Sequence, residues 1–285
     1  MTSRVDFHTH SSASDGRLSP ARLVQRALDK GLRYLALTDH DTTAGIAEAR
    51  SAAIGTSLHI VAGIELSVSW ENLSLHVVGL HIDPNDPQLN ESLESLRNLR
   101  VSRAREMGLR LEKKGIAGCF EGASRLAGSG MITRTHFARY LVDQNHCQTL
   151  QKAFDRYLSQ GKPGYVKTNW VELKTGIGWI HQAGGTAVLA HPMRYQITAT
   201  RMRKLLGDFQ NAGGEAIEVV CGNSTTDDIH TSARYAREFG LMASMGSDFH
   251  SPDAAWIDLG RLKPLPDHVE AIWNGLGIEL DSVID

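Results

Sequence analysis

Short apolar runs and longer amphipathic stretches alternate along most of the chain. The apolar runs are rich in Val, Ile, Leu and Ala, a composition that is typical of strands in a parallel sheet. We predict strands over residues 4–8, 34–38, 59–66, 75–80, 186–190, 216–220 and 241–246. Strands that alternate with helices in this way predict an α/β fold built from βα units.

The stretches between these strands carry helix signals. Ser19 and Pro20 mark the start of the first helix, because serine caps helix N-termini and proline fits the first helical position. Gly31 ends this helix. Further helices are predicted to follow Thr43, Asn169, Ala199 and Thr226.

A stretch of about a hundred residues interrupts this spacing and is too long for an ordinary connection between two strands. It lies between the strand that ends near His81 and the strand that starts at Thr186. Within it we expect a charged helix over 89–114 with a solvated face from 97 onwards, a loop over 115–130, and helices over 136–144 and 149–158. We therefore predict a small helical lid domain, residues 98–168, inserted into a barrel domain of residues 1–97 and 169–285. Two domains of ordinary size are the alternative.

The composition limits the classes of protein that the chain can represent. Its 285 residues, 41% of them hydrophobic, are enough for one large core, and 30 basic against 32 acidic residues give a net charge of -2. This balance excludes a strong overall field for nucleic acid or membranes, so any phosphate-binding surface must be local. Cys119, Cys147 and Cys221 lie far apart without a CxxC pair, which disfavours a disulfide framework and a thiolate zinc site. Because the chain shows no apolar leader or long apolar run, we expect a cytoplasmic protein without a membrane partner.

Imidazole and carboxylate side chains stand at or just after the predicted strand ends. His8 and His10 are two residues apart, so both side chains point to the same face of an extended strand. The carboxyl ends of parallel barrel strands meet at one mouth, which brings distant segments together. Buried imidazoles and carboxylates need partners, and this donor set suits Zn, Mn or Fe. The candidate metal ligands are His8, His10, Asp15, His40, Glu65, His76, His191, Asp248 and His250.

Four short motifs occur in the order that is typical of PHP (polymerase and histidinol phosphatase) domain phosphoesterases, which the chain resembles over essentially its whole length. They are His8-Thr9-His10, Thr38-Asp39-His40-Asp41, Ala190-His191-Pro192 and Gly246-Ser247-Asp248-Phe249-His250. Within that family the chain is similar to the stand-alone bacterial branch that acts on nucleoside 3′,5′-bisphosphates and on the 5′ ends of short RNA. The resemblance implies a distorted (β/α)7 TIM-like barrel with a lid and a trinuclear metal site.

The resemblance also implies how the ligands are shared. One metal ion is expected at His8, His10, Glu65 and Asp248, a second at Glu65, His76 and His191, and a third at Asp15, His40 and His250. Manganese is the first expectation, with iron or zinc as alternatives. Asp39 and Asp41 are expected to orient the ligating rings.

Substrate contacts are expected from the lid and from the barrel mouth. The segment from Met131 to Ala138 resembles the family's Arg-Pro-His-Ile-Ala pattern, with Thr135 where proline is usual, and it implies phosphate contacts from Arg134 and His136. The remaining candidates for substrate binding are Asp15, Arg194 and Asn223. The implied catalyst is a hydroxide that bridges two metal ions and attacks phosphorus in line. It would release the 3′-phosphate of a nucleoside 3′,5′-bisphosphate, and trimming of short single-stranded 5′-phosphorylated RNA is a further expected activity.

Several alternatives stay open at this point. Glu65 and His76 could be cross-strand polar groups, Asp15 a turn cap, and Arg134 and His136 solvated lid residues. Arg194 and Asn223 fit a plain loop role equally well, and Glu218 either lines the pocket or makes a structural hydrogen bond. The alternative functions are a histidinol-phosphate phosphatase, a barrel amidohydrolase that acts on C–N bonds, and a non-catalytic metal-binding module. No protein partner is indicated.

Overall fold

A sheet that is almost closed into a barrel forms the centre of the computed structural model, which describes residues 3–254 and 256–280. The strands are β1 (Val5–Thr9), β2 (Tyr34–Leu37), β3 (His59–Trp70), β4 (Leu73–Leu80), β5 (Val171–Glu172), β6 (Thr186–Leu189), β7 (Ala216–Cys221) and β8 (Met242–Gly246). Their order in the sheet is β1-β2-β3-β4-β6-β7-β8, and the short β5 pairs with β3 beside this path.

The first and last strands of this path meet at their carboxyl ends. Thr9 and Phe249 form a parallel bridge, and the His10 amide donates a hydrogen bond to the Phe249 carbonyl over 2.9 Å. Gly246 permits this approach, because a Cβ atom at that position would lie 2.3 Å from the Cβ of His8. The predicted α/β barrel is therefore confirmed. Its seam, where the end of β1 meets the segment after β8, lies beside His8 and His10.

The expectation of a parallel sheet is wrong at β4. This strand runs antiparallel to both β3 and β6, because Glu71 and Asn72 alone connect it to β3 and reverse the chain in a tight hairpin. His76 pairs with Ser67 in the hairpin and lies near the beginning of β4. Since the strand is reversed, its beginning lies at the same end of the barrel as the carboxyl ends of the parallel strands.

Ten helices surround the sheet and fill the long insertion within the described residues. They are α1 (Pro20–Asp29), α2 (Ile46–Ala53), α3 (Pro87–Glu112), α4 (Cys119–Ala127), α5 (Arg134–Asp143), α6 (Leu150–Ala153), α7 (Leu173–Gln182), α8 (Ala199–Asn211), α9 (Thr226–Glu238) and α10 (Ile272–Gly275). A π-helical turn over Phe154–Leu158 follows α6, and a 3-10 turn over Pro192–Arg194 follows β6. In the described part of the chain, no helix is long and apolar enough to cross a membrane.

The helix signals at α1 are confirmed, whereas the expected loop over 115–130 is wrong. Ser19 caps α1 by accepting a hydrogen bond from the Arg22 amide over 3.3 Å. Residues 119–127 form α4, although their small side chains suggested a loop. The reason is packing: a Cβ atom at Gly122 would lie 2.1 Å from the Tyr140 ring, so a small residue lets α4 lie directly against α5.

Two clusters of buried apolar side chains stabilise the fold. The larger fills the barrel and the space beneath its helices, and the smaller lies among α3, α4 and α5 around Met107, Leu111 and Phe137. Helix α3 belongs to both, because Leu89 and Leu93 from its first half are buried in the barrel cluster. The predicted boundary between residues 97 and 98 falls inside this continuous helix, and the division into barrel and lid domains stays a prediction.

Candidate metal centre

The mouth of the barrel collects every side chain that the sequence indicated as a metal ligand. Strands β1, β2, β3, β4, β6 and β8 each supply at least one from the strand itself or from the segment that follows it, and β7 supplies Glu218 instead. The backbone turns sharply at two of these strand ends, where His191 has φ 31° and Asp248 has φ 55°. Such left-handed conformations are costly for residues other than glycine and cluster at functional sites. Here they turn the two side chains into the mouth.

One group of ligand atoms lies at the seam between β1 and β8. His8 Nε2 and His10 Nε2 lie 3.1 Å apart, and His10 Nε2 lies 3.1 Å from Asp248 Oδ1. Glu65 Oε2 completes the group at 3.3 Å from His8 Nε2 and 3.2 Å from His10 Nε2. These are the four residues expected to hold one metal ion.

A second group forms around the other oxygen of Glu65. Its Oε1 atom lies 2.7 Å from His76 Nδ1 and 3.1 Å from His191 Nε2, and these two nitrogens are 3.3 Å apart. His40 Nδ1 also approaches Glu65, at 2.9 Å from Oε2. Glu65 therefore faces two groups of ligands with its two oxygens, which matches the bridging position expected for it.

The third group lies beside the lid. Asp15 Oδ1 is 3.2 Å from His250 Nε2 and 3.9 Å from His40 Nε2. His10 also comes within reach of this group, since its ring stacks on His250 with 4.1 Å between the ring centroids. The structure thus brings together the three predicted residues and adds His10 as a possible shared neighbour.

The unsatisfied atoms of these groups fit divalent metal ions. His40 Nδ1 and Glu65 Oε2 are buried, yet neither makes a hydrogen bond of acceptable geometry. Buried polar atoms are normally satisfied, so converging lone pairs without donors indicate a cation. Within the described residues, three groups of His, Asp and Glu place ligand atoms within 4.8 Å of one another. Imidazole and carboxylate ligands without thiolate suit Mn, Fe and Zn.

The charges of the mouth agree with this conclusion. Burial raises the pKa of Glu65, but the nearby imidazoles of His76 and His40 outweigh it and hold the pKa well below its usual range. Burial lowers the pKa of His10, whereas Asp248 and Glu65 together raise it to about 10. The carboxylates are therefore ionised at neutral pH, the form that binds cations, whereas His10 is protonated and would release its proton when a cation binds.

Glu218, whose role the sequence left open, contacts two of the candidate ligands. Its Oε1 atom lies 2.6 Å from His8 Nδ1, and its Oε2 accepts a hydrogen bond from the His191 amide over 2.5 Å. A carboxylate on one ring nitrogen fixes the tautomer, so His8 presents Nε2 as a free lone pair to the mouth. In the sequence, the feature that points to this arrangement is a charged residue, Glu218, in the middle of the otherwise apolar strand β7.

Asp39 and Asp41 support the site in a different way from the one expected. Asp39 accepts hydrogen bonds from the hydroxyls of Ser11 and Ser14, each over 2.6 Å. Asp41 accepts from Arg100 Nε over 2.6 Å and from the Ser67 amide over 2.7 Å. These contacts fix the loops and strands that carry the ligands, whereas the expectation was that the two carboxylates orient the ligating rings.

Helix α5 is anchored to Asp15 by hydroxyl groups. Thr133 Oγ1 donates to Asp15 Oδ2 over 2.9 Å, and Thr135 Oγ1 donates to the same oxygen over 2.8 Å. Arg139 donates to the Asp15 carbonyl over 2.6 Å. Thr135 occupies the position where proline was expected, and a proline could make no such contact because it has no hydroxyl group.

His136 and Arg134 have different surroundings. His136 is buried, and its Nδ1 accepts a hydrogen bond from the Thr133 amide over 3.1 Å within the cap of α5. Burial lowers the pKa of His136 to about 4, so the ring is neutral at neutral pH. Arg134 lines a cavity of about 120 Å³ that opens from Asp15, His40 and His76. The same cavity is lined by Arg100, Arg103, Tyr165, Lys167 and Trp170.

Arg100 and Arg103 are site residues that the sequence did not reveal. The expected solvated face from 97 onwards is wrong at Arg100, which is 5% exposed and bound to Asp41. Arg103 lies over the Trp170 ring at 5.4 Å, and its buried Nε has no hydrogen-bond partner. Burial lowers the pKa of Arg103 to about 9. An unpartnered guanidinium atom beside this cavity provides a donor for an anion.

Arg194 and Asn223 line a different cleft from Arg134. Arg194 forms an ion pair with Asp248 Oδ2, and its other terminal nitrogen donates to Asn223 Oδ1 over 3.4 Å. Both residues line a second cleft that also contacts Asp248 and His250. They therefore lie at the mouth, as predicted, but away from the cavity that contains Arg134.

Comparisons with known proteins agree with these features. The PHP domain family model matches residues 6–167. A 3′,5′-nucleoside bisphosphate phosphatase from Chromobacterium violaceum is 47% identical over 273 residues, which cover 95% of this chain and 96% of that protein. A 5′-3′ exoribonuclease from Haemophilus influenzae is 46% identical over 274 residues, which cover 96% of this chain and 99% of that protein.

A solved structure described as an amidohydrolase, also from Chromobacterium violaceum and with bound sulfate, has a TM-score of 0.93 to this chain. The two sequences are 47% identical, and the match covers 96% of each chain. The barrel and the long helical insertion therefore have an experimental counterpart of nearly the same extent.

Proposed function

This chain belongs to the PHP domain family, and on that premise we propose that it is a metal-dependent phosphoesterase. Its proposed substrates are nucleoside 3′,5′-bisphosphates, such as adenosine 3′,5′-bisphosphate, which it converts to the 5′-nucleotide and phosphate. Short 5′-phosphorylated RNA is the second proposed substrate. The two relatives, a bisphosphate phosphatase and an exoribonuclease, support this pair of activities.

One observation carries the proposal: the candidate metal centre and a cluster of cationic side chains share one cavity. Asp15, His40 and His76 line one part of it, and Arg103, Arg134 and Lys167 line another. A substrate with two phosphates can therefore place one against the metal centre and the other against the guanidinium groups. Arginine binds phosphate through paired donors, and burial strengthens such contacts.

The proposed cofactors are three divalent metal ions, with manganese as the first candidate and iron and zinc as alternatives. Their ligands would be the three groups of side chains described above, with Glu65 shared between groups. Bound divalent ions would supply an activated water and neutralise charge on the phosphate oxygens. The role of Glu218 is to hold His8 and the His191 backbone in position for that task.

His136 has a defined tautomer in this proposal. Its Nδ1 accepts the Thr133 amide hydrogen, so the proton of the neutral ring resides on Nε2. Any contact to a phosphate oxygen would then be a donated Nε2–H hydrogen bond and not an ion pair. Arg134, two residues earlier in the chain, supplies the positive charge.

The first test compares two substrates that differ by one phosphate. Arg103→Ala should raise KM for adenosine 3′,5′-bisphosphate about tenfold, since it removes one charge-assisted contact, and should leave adenosine 3′-monophosphate unaffected. Arg105→Ala is the matched control, because Arg105 lies on the same helix and stacks on Phe120 outside the cavity. Equal effects of both variants, or equal effects on both substrates, would contradict the assignment of the cavity.

The alternative functions are tested in the same assay. The amidohydrolase name of the solved relative keeps hydrolysis of C–N bonds as a second candidate. We expect the protein to release phosphate from the bisphosphate and to turn over neither a panel of amides nor histidinol phosphate. His191→Ala serves as the inactive control. Turnover of amides in preference to phosphate esters would overturn the proposal.

A further inference from the structure

Two cavities open beside the candidate metal centre, and Thr135 lines both of them. The first, described above, contacts Asp15, His40 and His76. The second is a cleft of about 490 Å³ that contacts Asp248 and His250. Because both open onto the same ligand cluster, a substrate with its reacting phosphate at that cluster can extend into either cavity.

The second cleft combines apolar and polar walls. Val142, Leu150 and Ile257 contribute apolar surface, and Leu150 is 41% exposed although it lies beside the mouth. Arg17 and Asn223 contribute hydrogen-bonding groups. Apolar surface next to guanidinium and amide groups suits a nucleobase with its ribose, since the base face is apolar and its edge is polar.

The charges of the two cavities differ. In the first, Arg103 Nε is buried without a hydrogen-bond partner, which suits a doubly charged terminal phosphate. In the second, Arg17 binds Asp253 over 2.8 Å, Arg194 binds Asp248, and Arg139 donates to the Asp15 carbonyl, so that the three arginines of the lining are balanced by Asp143, Asp248 and Asp253. A balanced cleft does not favour a terminal phosphate dianion, but it accepts a nucleoside joined through a singly charged diester.

We propose that the second cleft binds the nucleotide that follows the scissile phosphodiester of a 5′-phosphorylated oligoribonucleotide. This inference rests on the proposed function. The first cavity then holds the 5′-terminal nucleotide in both reactions. An oxygen from water joins phosphorus, the P–O3′ bond breaks, and the 3′ oxygen takes a proton. The released mononucleotide keeps its 5′-phosphate, and the shortened RNA carries a new 5′-phosphate that makes it a substrate again.

The test measures kcat/KM for a 5′-phosphorylated diribonucleotide and for adenosine 3′,5′-bisphosphate in parallel. Leu150→Glu and Arg17→Ala should each lower the value for the dinucleotide about tenfold and leave the bisphosphate unchanged. Leu126→Glu is the matched control, because Leu126 is 40% exposed on α4 and does not line the cleft. It should change neither value.

Three other outcomes would overturn the inference. If both cleft variants leave the dinucleotide unaffected, the cleft is not a subsite. If they impair both substrates equally, the effect is not specific to the downstream nucleotide. If the wild-type protein hydrolyses neither substrate, the proposed function itself fails. This result differs from a failure of the subsite inference, because it is seen with the wild-type protein alone.

Discussion

The hydroxyl group of Thr135 provides a sharp test of how the helical insertion supports the metal centre. Thr133 and Thr135 both donate to Asp15 Oδ2, over 2.9 and 2.8 Å, while Asp15 Oδ1 faces His250. Thr135→Val removes one of these two donors and keeps the shape of the side chain. The carboxylate then has one anchor fewer and more freedom to rotate away from His40 and His250.

The magnitude follows from the hydrogen bond that is lost. A hydrogen bond to a charged acceptor contributes about 1.5–3 kcal/mol, and we expect the lower end because the Thr133 hydroxyl remains. About 1.4 kcal/mol corresponds to a tenfold change in an equilibrium constant, which agrees with the roughly 10–100-fold loss of affinity seen when supporting residues of metal sites are removed. We therefore expect one class of manganese site to bind about tenfold more weakly.

Calorimetric titration of metal-free protein with manganese measures this change directly. Thr135→Ser should restore the affinity, since it restores the hydroxyl, and Thr186→Val is the control at the opposite end of the barrel. Thr135→Pro should be at least as harmful as Thr135→Val, because it also removes the amide that donates to Thr133 Oγ1 over 3.1 Å. Unchanged affinity in Thr135→Val, or no recovery in Thr135→Ser, would refute the reasoning.

Three further predictions concern the same region. Glu218→Gln removes the negative charge beside His8 Nδ1 and should weaken manganese binding about 10–100-fold, measured by the same titration; equal affinity would exclude a positioning role. Removing the metal with a chelator should lower Tm, because ligand at 100 times its Kd stabilises the folded state by about 2.7 kcal/mol, or roughly 4–5 °C for a chain of this size; an unchanged melting curve would argue against a resident metal. Gly246→Ala places a methyl group against the Cβ of His8 and should lower the free energy of unfolding by about 1–3 kcal/mol, measured with denaturant. An unchanged denaturation midpoint would show that β1 and β8 are not tightly packed at this position.

Local signals in the sequence were sufficient for much of the barrel. Apolar runs mark buried strands because a strand that is covered on both faces must be apolar throughout. The cap at Ser19 could be read directly, because capping depends on neighbours three residues away. Most of the ligand residues could be identified for a similar reason, since they lie at or just after the ends of predicted strands and parallel strands end at one mouth, whereas His76 lies near the start of its strand.

Tertiary contacts decided the remaining features, because these depend on which distant segments meet. The reversal of β4 depends on how its hairpin is placed in the sheet, and α4 is a helix because Gly122 fits against Tyr140. Arg103 resembled any other charge on an exposed helix until Trp170 and the insertion buried it. Similarly, a threonine hydroxyl at position 135 carries no local sign that it reaches Asp15, 120 residues earlier in the chain. Sequence periodicity indicates which apolar residues are buried, whereas the burial and the partners of a polar group depend on the complete fold.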